Sequence, residues 1–130
     1  MPKIEPYCSP NVFDPPAYAQ GVRVKQADTI LFLSGQVAYD AEGGVMHAGD
    51  FKAQARAAYQ GLKSLVEHEG GALANLVKVN TYVTDMRYRN DLALVRQEFF
   101  PARAPASTLV EVSALAHPDW MVEIEAIAVL

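Results

Sequence analysis

The chain has 130 residues, 51% of them hydrophobic, with fifteen acidic side chains against eleven basic ones and a formal charge of −4. That length suits one domain over residues 1–130 with a core of its own, and the composition excludes a disordered chain. The acidic balance, with no run of Lys or Arg, argues against a nucleic-acid partner, because phosphate binding rests on clustered cations.

A single cysteine, Cys8, allows no intrachain disulfide, and no CxxC or Cys/His cluster offers a metal site. The opening MPKIEPYCSP carries no apolar signal region, and no stretch is long and apolar enough for a membrane span. The expected compartment is the cytoplasm.

Residues 6–21, PYCSPNVFDPPAYAQG, hold four of the eight prolines and show no period. Proline removes backbone donors, so the segment reads as an extended or looping arm. GVRVKQADTILFLSGQVAYD follows, with an alternating first half and strand formers in TILFLSG, and predicts two strands joined at QAD. Asp50 is placed to cap a helix on which Phe51, Ala55, Ala58, Leu62 and Leu65 share one face, with Gly70 and Gly71 ending it.

LVKVNTYVTD then alternates Val77, Val79, Thr81 and Val83, which predicts a strand. A second helix starts near Arg89 or Asn90, turns Leu92, Val95 and Phe99 to the core, and stops at Pro101. STLVEV and WMVEIEAIAVL close the chain as strands. The order predicts α+β: one sheet with two helices on a single face. The opposite sheet face is expected to carry enough Val, Ile and Leu to require a partner. The final strand also sets Glu123 and Glu125 two apart, hence on one face.

Several blocks in order, AYAQGV (17–22), LFLSGQV (31–37), QAR (54–56), LVKVNTYVTD (76–85), EFFPARAPASTLVEV (98–112) and VEIEAIAV (122–129), resemble the Rid family of reactive intermediate deaminases, also called YjgF. The resemblance runs from about Tyr18 to Leu130. It implies a chorismate-mutase-like α+β fold, a homotrimer with clefts between subunits, and hydrolysis of 2-aminoacrylate and related enamines and imines to 2-ketoacids and ammonia, with no metal or organic cofactor.

By the same resemblance Tyr18 walls the cleft, Ser34 and Gly35 border it, and Glu123 orients the attacking water; Ser107, Thr108 and Leu109 are expected to contact substrate in place of the family's own residues. Glu125 receives no role. The sequence departs from the family where deaminating members carry an arginine that grips the substrate carboxylate: Ser107 stands there. A different gap placement would set Arg103 opposite that arginine. Ala93 stands where the family has an asparagine on the second helix, and Leu109 where Cys or Thr is common. Rapid 2-aminoacrylate deamination is therefore not expected.

His117 is a further candidate, since its connection leads to Glu123. His47, His68 and Cys8 read as surface residues without companions. Two functions remain: a hydrolase of small imines or enamines, and a non-catalytic trimeric module that binds a small metabolite or a partner protein. A ribonuclease, an older description of the family, is disfavoured by the acidic charge.

Overall fold

The computed structural model describes residues 1–130 and contains eight main elements: β1 (Lys3–Tyr7), β2 (Gly21–Lys25), β3 (Ile30–Gln36), α1 (Phe51–His68), β4 (Leu76–Val83), α2 (Arg89–Phe99), β5 (Ala106–Glu111) and β6 (Val122–Val129). Strands β3 to β6 form one mixed sheet in the order β3-β6-β4-β5. β6 runs antiparallel to both neighbours, and β5 runs parallel to β4. The parallel pair requires a crossover, which α2 supplies.

Two expectations change at the N-terminus. The arm is not irregular throughout, because β1 pairs antiparallel with β2 from Lys3↔Lys25 to Tyr7↔Gly21. These two strands form a second sheet, so there are two sheets and not one. Pro6 hides β1 from a reading of composition, yet a two-stranded ribbon tolerates a missing donor. Gln26, at φ 58, turns the chain between β2 and β3, so these strands do not make a hairpin with each other.

α1 begins where Asp50 accepts the Ala53 N–H at 3.1 Å. Phe51, Ala55, Ala58, Leu62 and Val66 are buried against the sheet, and Gly70 at φ 86 follows the last turn. Leu65 was expected on that face and is exposed; the helical step of four from Leu62 lands on Val66 instead. In β4 the predicted inward row Val77, Val79, Thr81, Val83 holds only from Val79. A bulge between Leu76 and Lys78 lets the chain gain one residue, and Leu76 takes the buried place.

α1 and α2 cover one face of the sheet around a core that includes Tyr59, Leu62, Val79, Val83, Leu92, Val95, Val122 and Ile124. The other face is open. In register across β5, β4 and β6, Thr108, Asn80 and Glu125 form one row there, and Val110, Tyr82 and Glu123 the next. The expected apolar surface is thus a mixed one. Its large apolar side chains include Phe32 and Ile127, which pair at the β3 side, and Val110 on β5. The strand residues Val, Ile and Leu serve mainly the helix-covered face, as the strict alternation of β6 requires. No helix is long and apolar enough to cross a membrane.

Candidate functional site

Alternation along β5 sends Ser107 and Leu109 to the helix-covered side, in register with the buried Val79 and Thr81 of β4. Between them and α2 lies a cleft of about 570 Å³, whose walls include Tyr18, Arg89, Ala93, Arg96, Ser107 and Leu109. Tyr18 arrives by a bridge to Ala104, with Ala19 N–H donating to the Ala104 carbonyl at 2.9 Å and Ala104 N–H to the Ala17 carbonyl at 3.0 Å. Arg103 secures that segment: its Nε donates to the Tyr18 carbonyl at 2.8 Å and its guanidinium pairs with Asp14. It does not line the cleft.

Leu92, Arg96, Ser107 and Leu109 also border a water-sized recess of about 10 Å³ at the inner end, where Tyr59 and Thr81 complete the wall. Burial pushes the Tyr59 phenol up to about 12, and the positive charge of Arg96 pulls the other way.

The second group of predicted residues faces away from the helices. The Glu123 carboxylate lies over Gly35: a Cβ built on that glycine would meet Glu123 Oε2 at 2.0 Å. A side chain there would displace the carboxylate, and glycine leaves it room. Glu123, with Tyr82, Val112 and Leu115, lines a shallow depression of about 390 Å³. Tyr82 O–H donates to Glu125, and that hydrogen bond raises the Tyr82 pKa above its usual value. Ser34 lies nearby on the same face with Phe32, Lys78 and Asn80, and Thr108 accepts from Lys78 Nζ at 2.9 Å.

His117 is part of the turn before β6. Its Nδ1 accepts the Asp119 N–H at 3.1 Å and its ring meets the edge of Trp120, whose indole N–H donates to the Ala38 carbonyl at 2.8 Å. It is not part of the Glu123 depression.

The candidate residues therefore divide. Tyr18, Ser107 and Leu109 share the cleft beside α2, while Ser34, Gly35, Thr108 and Glu123 share the open face, and within one chain the sheet separates the two sets. No three His, Cys, Asp or Glu side chains gather where a metal could be held.

Two groups at or near these sites were missed by sequence reading. Arg89 and Arg96 both line the cleft; their seven-residue spacing places them two turns apart on one helix face, which was the available signal. Gln54 is fully buried and binds the turn into β6: Nε2 donates to the Asp119 carbonyl at 2.8 Å, and Oε1 accepts the Met121 N–H at 2.8 Å. The QAR block is thus partly structural, since Arg56 pairs with Glu98 of α2.

The family model described as Endoribonuclease L-PSP matches residues 14–130. The chain belongs to the Rid/YjgF family. A RutC family protein of Pyrococcus horikoshii is 37% identical over 114 residues, covering 85% of this chain and 85% of its own. Among solved structures, the Rid family protein YyfB of Yersinia pestis, of unknown function, superposes with a TM-score of 0.85 at 25% identity, covering 98% of each chain. RidA of an Antarctic Psychrobacter gives 0.72 at 31% identity over 96% of this chain and 93% of its own. The α+β architecture of this Rid member is the chorismate-mutase-like one that its sequence blocks imply.

Proposed function

We propose that this Rid family chain is the subunit of a homotrimeric, cofactor-independent hydrolase of the cytoplasm, acting on a small imine, enamine or related reactive metabolite in a cleft between subunits. The observation that carries this reading is the division of the site. A cleft with Tyr18, Ser107 and Leu109 lies on one side of the sheet, and the Glu123 carboxylate, which would orient water, lies on the other. One chain alone does not bring them together; the open face of a neighbouring copy, set against the cleft, would.

The chemistry follows from the groups. An enamine takes a proton on carbon and becomes an imine, electrophilic at carbon. Glu123 holds a water against that carbon and accepts its proton as the C–O bond forms. That proton passes to nitrogen and gives an aminoalcohol; its hydroxyl proton then moves to the same nitrogen, the C–N bond breaks, and ammonia leaves as the C=O bond forms. Tyr18 O–H can donate to the polarised nitrogen or oxygen.

The test has two parts. Light scattering at micromolar concentration is expected to give the mass of three chains, and a monomer would remove the shared cleft. Enzymatically generated enamines of increasing chain length are then followed by ammonia release above the buffer rate. No acceleration for any of them would leave only the non-catalytic module.

A further inference from the structure

Four of the six arginines are held by carboxylates: Arg23 by Glu5, Arg56 by Glu98, Arg87 by Asp85 and Arg103 by Asp14. The remaining two, Arg89 and Arg96, make no ion pair, and both line the same cleft. No Asp or Glu lines that cleft. A chain with an excess of four negative charges thus keeps one concave surface that is positive and meets no carboxylate of its own. Charges of one sign in a low-dielectric concavity concentrate the field and attract the opposite ion.

The two cations differ in place. Arg89 is exposed at the start of α2, where solvent screens it. Arg96 is half-buried two turns further along the same helix face, where it also borders the small recess with Ser107 and Leu109. Its side chain donates no hydrogen bond to the protein, so its planar fork of donors is free for a ligand. A guanidinium matches a carboxylate with two parallel N–H···O bonds. Ser107 adds a hydroxyl beside it. Ala93, between the two arginines on the helix, is small and leaves the cleft open.

We infer that Arg96 is the anion-binding residue of this cleft, that the grip on a substrate carboxylate comes from α2 and not from β5, and that the substrate is a carboxylate whose chain is longer than three carbons. This rests on the proposed hydrolase reading for the word substrate only; the anion site itself does not depend on turnover. Ser107 and Ala93 together leave room that a three-carbon acid would not fill, in a cleft of about 570 Å³.

The experiment uses the intact protein and equilibrium binding. The probes are 2-oxohexanoate and 2-hexanone, which share a ketone and a butyl chain and differ by carboxylate against methyl, with pyruvate as the short acid. Expected results are that 2-oxohexanoate binds most tightly and shifts the amide resonances of Ser107 and Leu109, and that added salt weakens it. Arg96→Gln should lower its affinity roughly 10- to 100-fold, as loss of a charge-assisted pair does. Arg96→Lys should restore part of it, and 2-hexanone should bind weakly and equally to all three proteins.

Unchanged 2-oxohexanoate affinity in a folded Arg96→Gln protein overturns the inference, as does equal affinity for the ketone and the acid. Pyruvate binding as tightly as 2-oxohexanoate overturns the chain-length part. Arg96-dependent binding without turnover of any imine would instead sink the hydrolase reading and leave the anion site standing; full imine turnover by Arg96→Gln would do the converse.

Discussion

The Glu123 carboxylate occupies the volume that a side chain on residue 35 would need, with Oε2 2.0 Å from an ideal Cβ on Gly35. The clash runs along the Glu123 side chain from Cγ to Oε2 and involves no backbone, so Gly35→Ala should fold once that side chain turns aside. The alanine methyl would swing the carboxylate away. Expected is a small change in melting temperature with a large loss of turnover, read as a fall in kcat; a variant with full activity would show that the position of Glu123 over the glycine is incidental.

The two carboxylates of β6 have different surroundings, since Glu125 accepts from Tyr82 and Glu123 lies free over Gly35. Removing a general base costs about 100- to 10,000-fold. Glu123→Gln should therefore abolish turnover within that range while the assembled mass and melting temperature stay nearly constant. Glu125→Gln should disturb stability or assembly more than rate. Equal losses of rate in both variants would remove this distinction.

Gln54 makes the connection before β6 rigid, with both ends of its amide engaged and none of its surface exposed. Gln54→Leu keeps the volume but leaves the Met121 N–H and the Asp119 carbonyl without their partner. A buried group left unsatisfied costs about 1–3 kcal/mol. The urea midpoint should fall accordingly, and turnover should fall with it because β6 carries Glu123. An unchanged midpoint would mean that water replaces the amide.

Alkaline stability should depend on Tyr59, which is only 2% exposed and whose pKa burial raises from 10.0 to about 12. The folded state holds this proton more tightly than the unfolded one, so the contribution is complete below pH 10 and is lost as pH rises through 12. Two pKa units correspond to about 3 kcal/mol. Tyr59→Phe should flatten the fall in unfolding free energy between about pH 10 and 12; an identical slope would assign it to other groups.

Helices and the central strands were readable because their signals are local. Asp50 caps, Phe51 to Leu62 repeat at helical steps, and the alternation from Val122 to Val129 fixes which face Glu123 takes. β1 was hidden because Pro6 argues against a strand whereas pairing with β2 is a tertiary fact. Arg103 was a clamp only under a different gap placement, and its Nε instead donates to the Tyr18 carbonyl, 85 residues away. Arg96 gave no warning, because what distinguishes it is the lack of a carboxylate nearby in space. The split of the site across the sheet was equally out of reach, since β5 alternation shows that Ser107 and Thr108 part company but not what each one meets.

The strand order β3-β6-β4-β5 puts the last strand of the chain in the middle of its sheet. Until β6 is made, β3 and β4 have no shared neighbour, and the core face supplied by Val122, Ile124, Ala126 and Ala128 is missing from beneath α1. During synthesis the helices and the other strands emerge before β6, so a nascent chain exposes unpaired strand edges until β6 has left the ribosome. A ribosome-stalled chain ending at Met121 should be cut rapidly by protease and one released at Leu130 should resist; resistance in both would mean that the outer elements close without the centre. Closure of the sheet thus waits for β6, and Glu123 is carried by the strand that completes it.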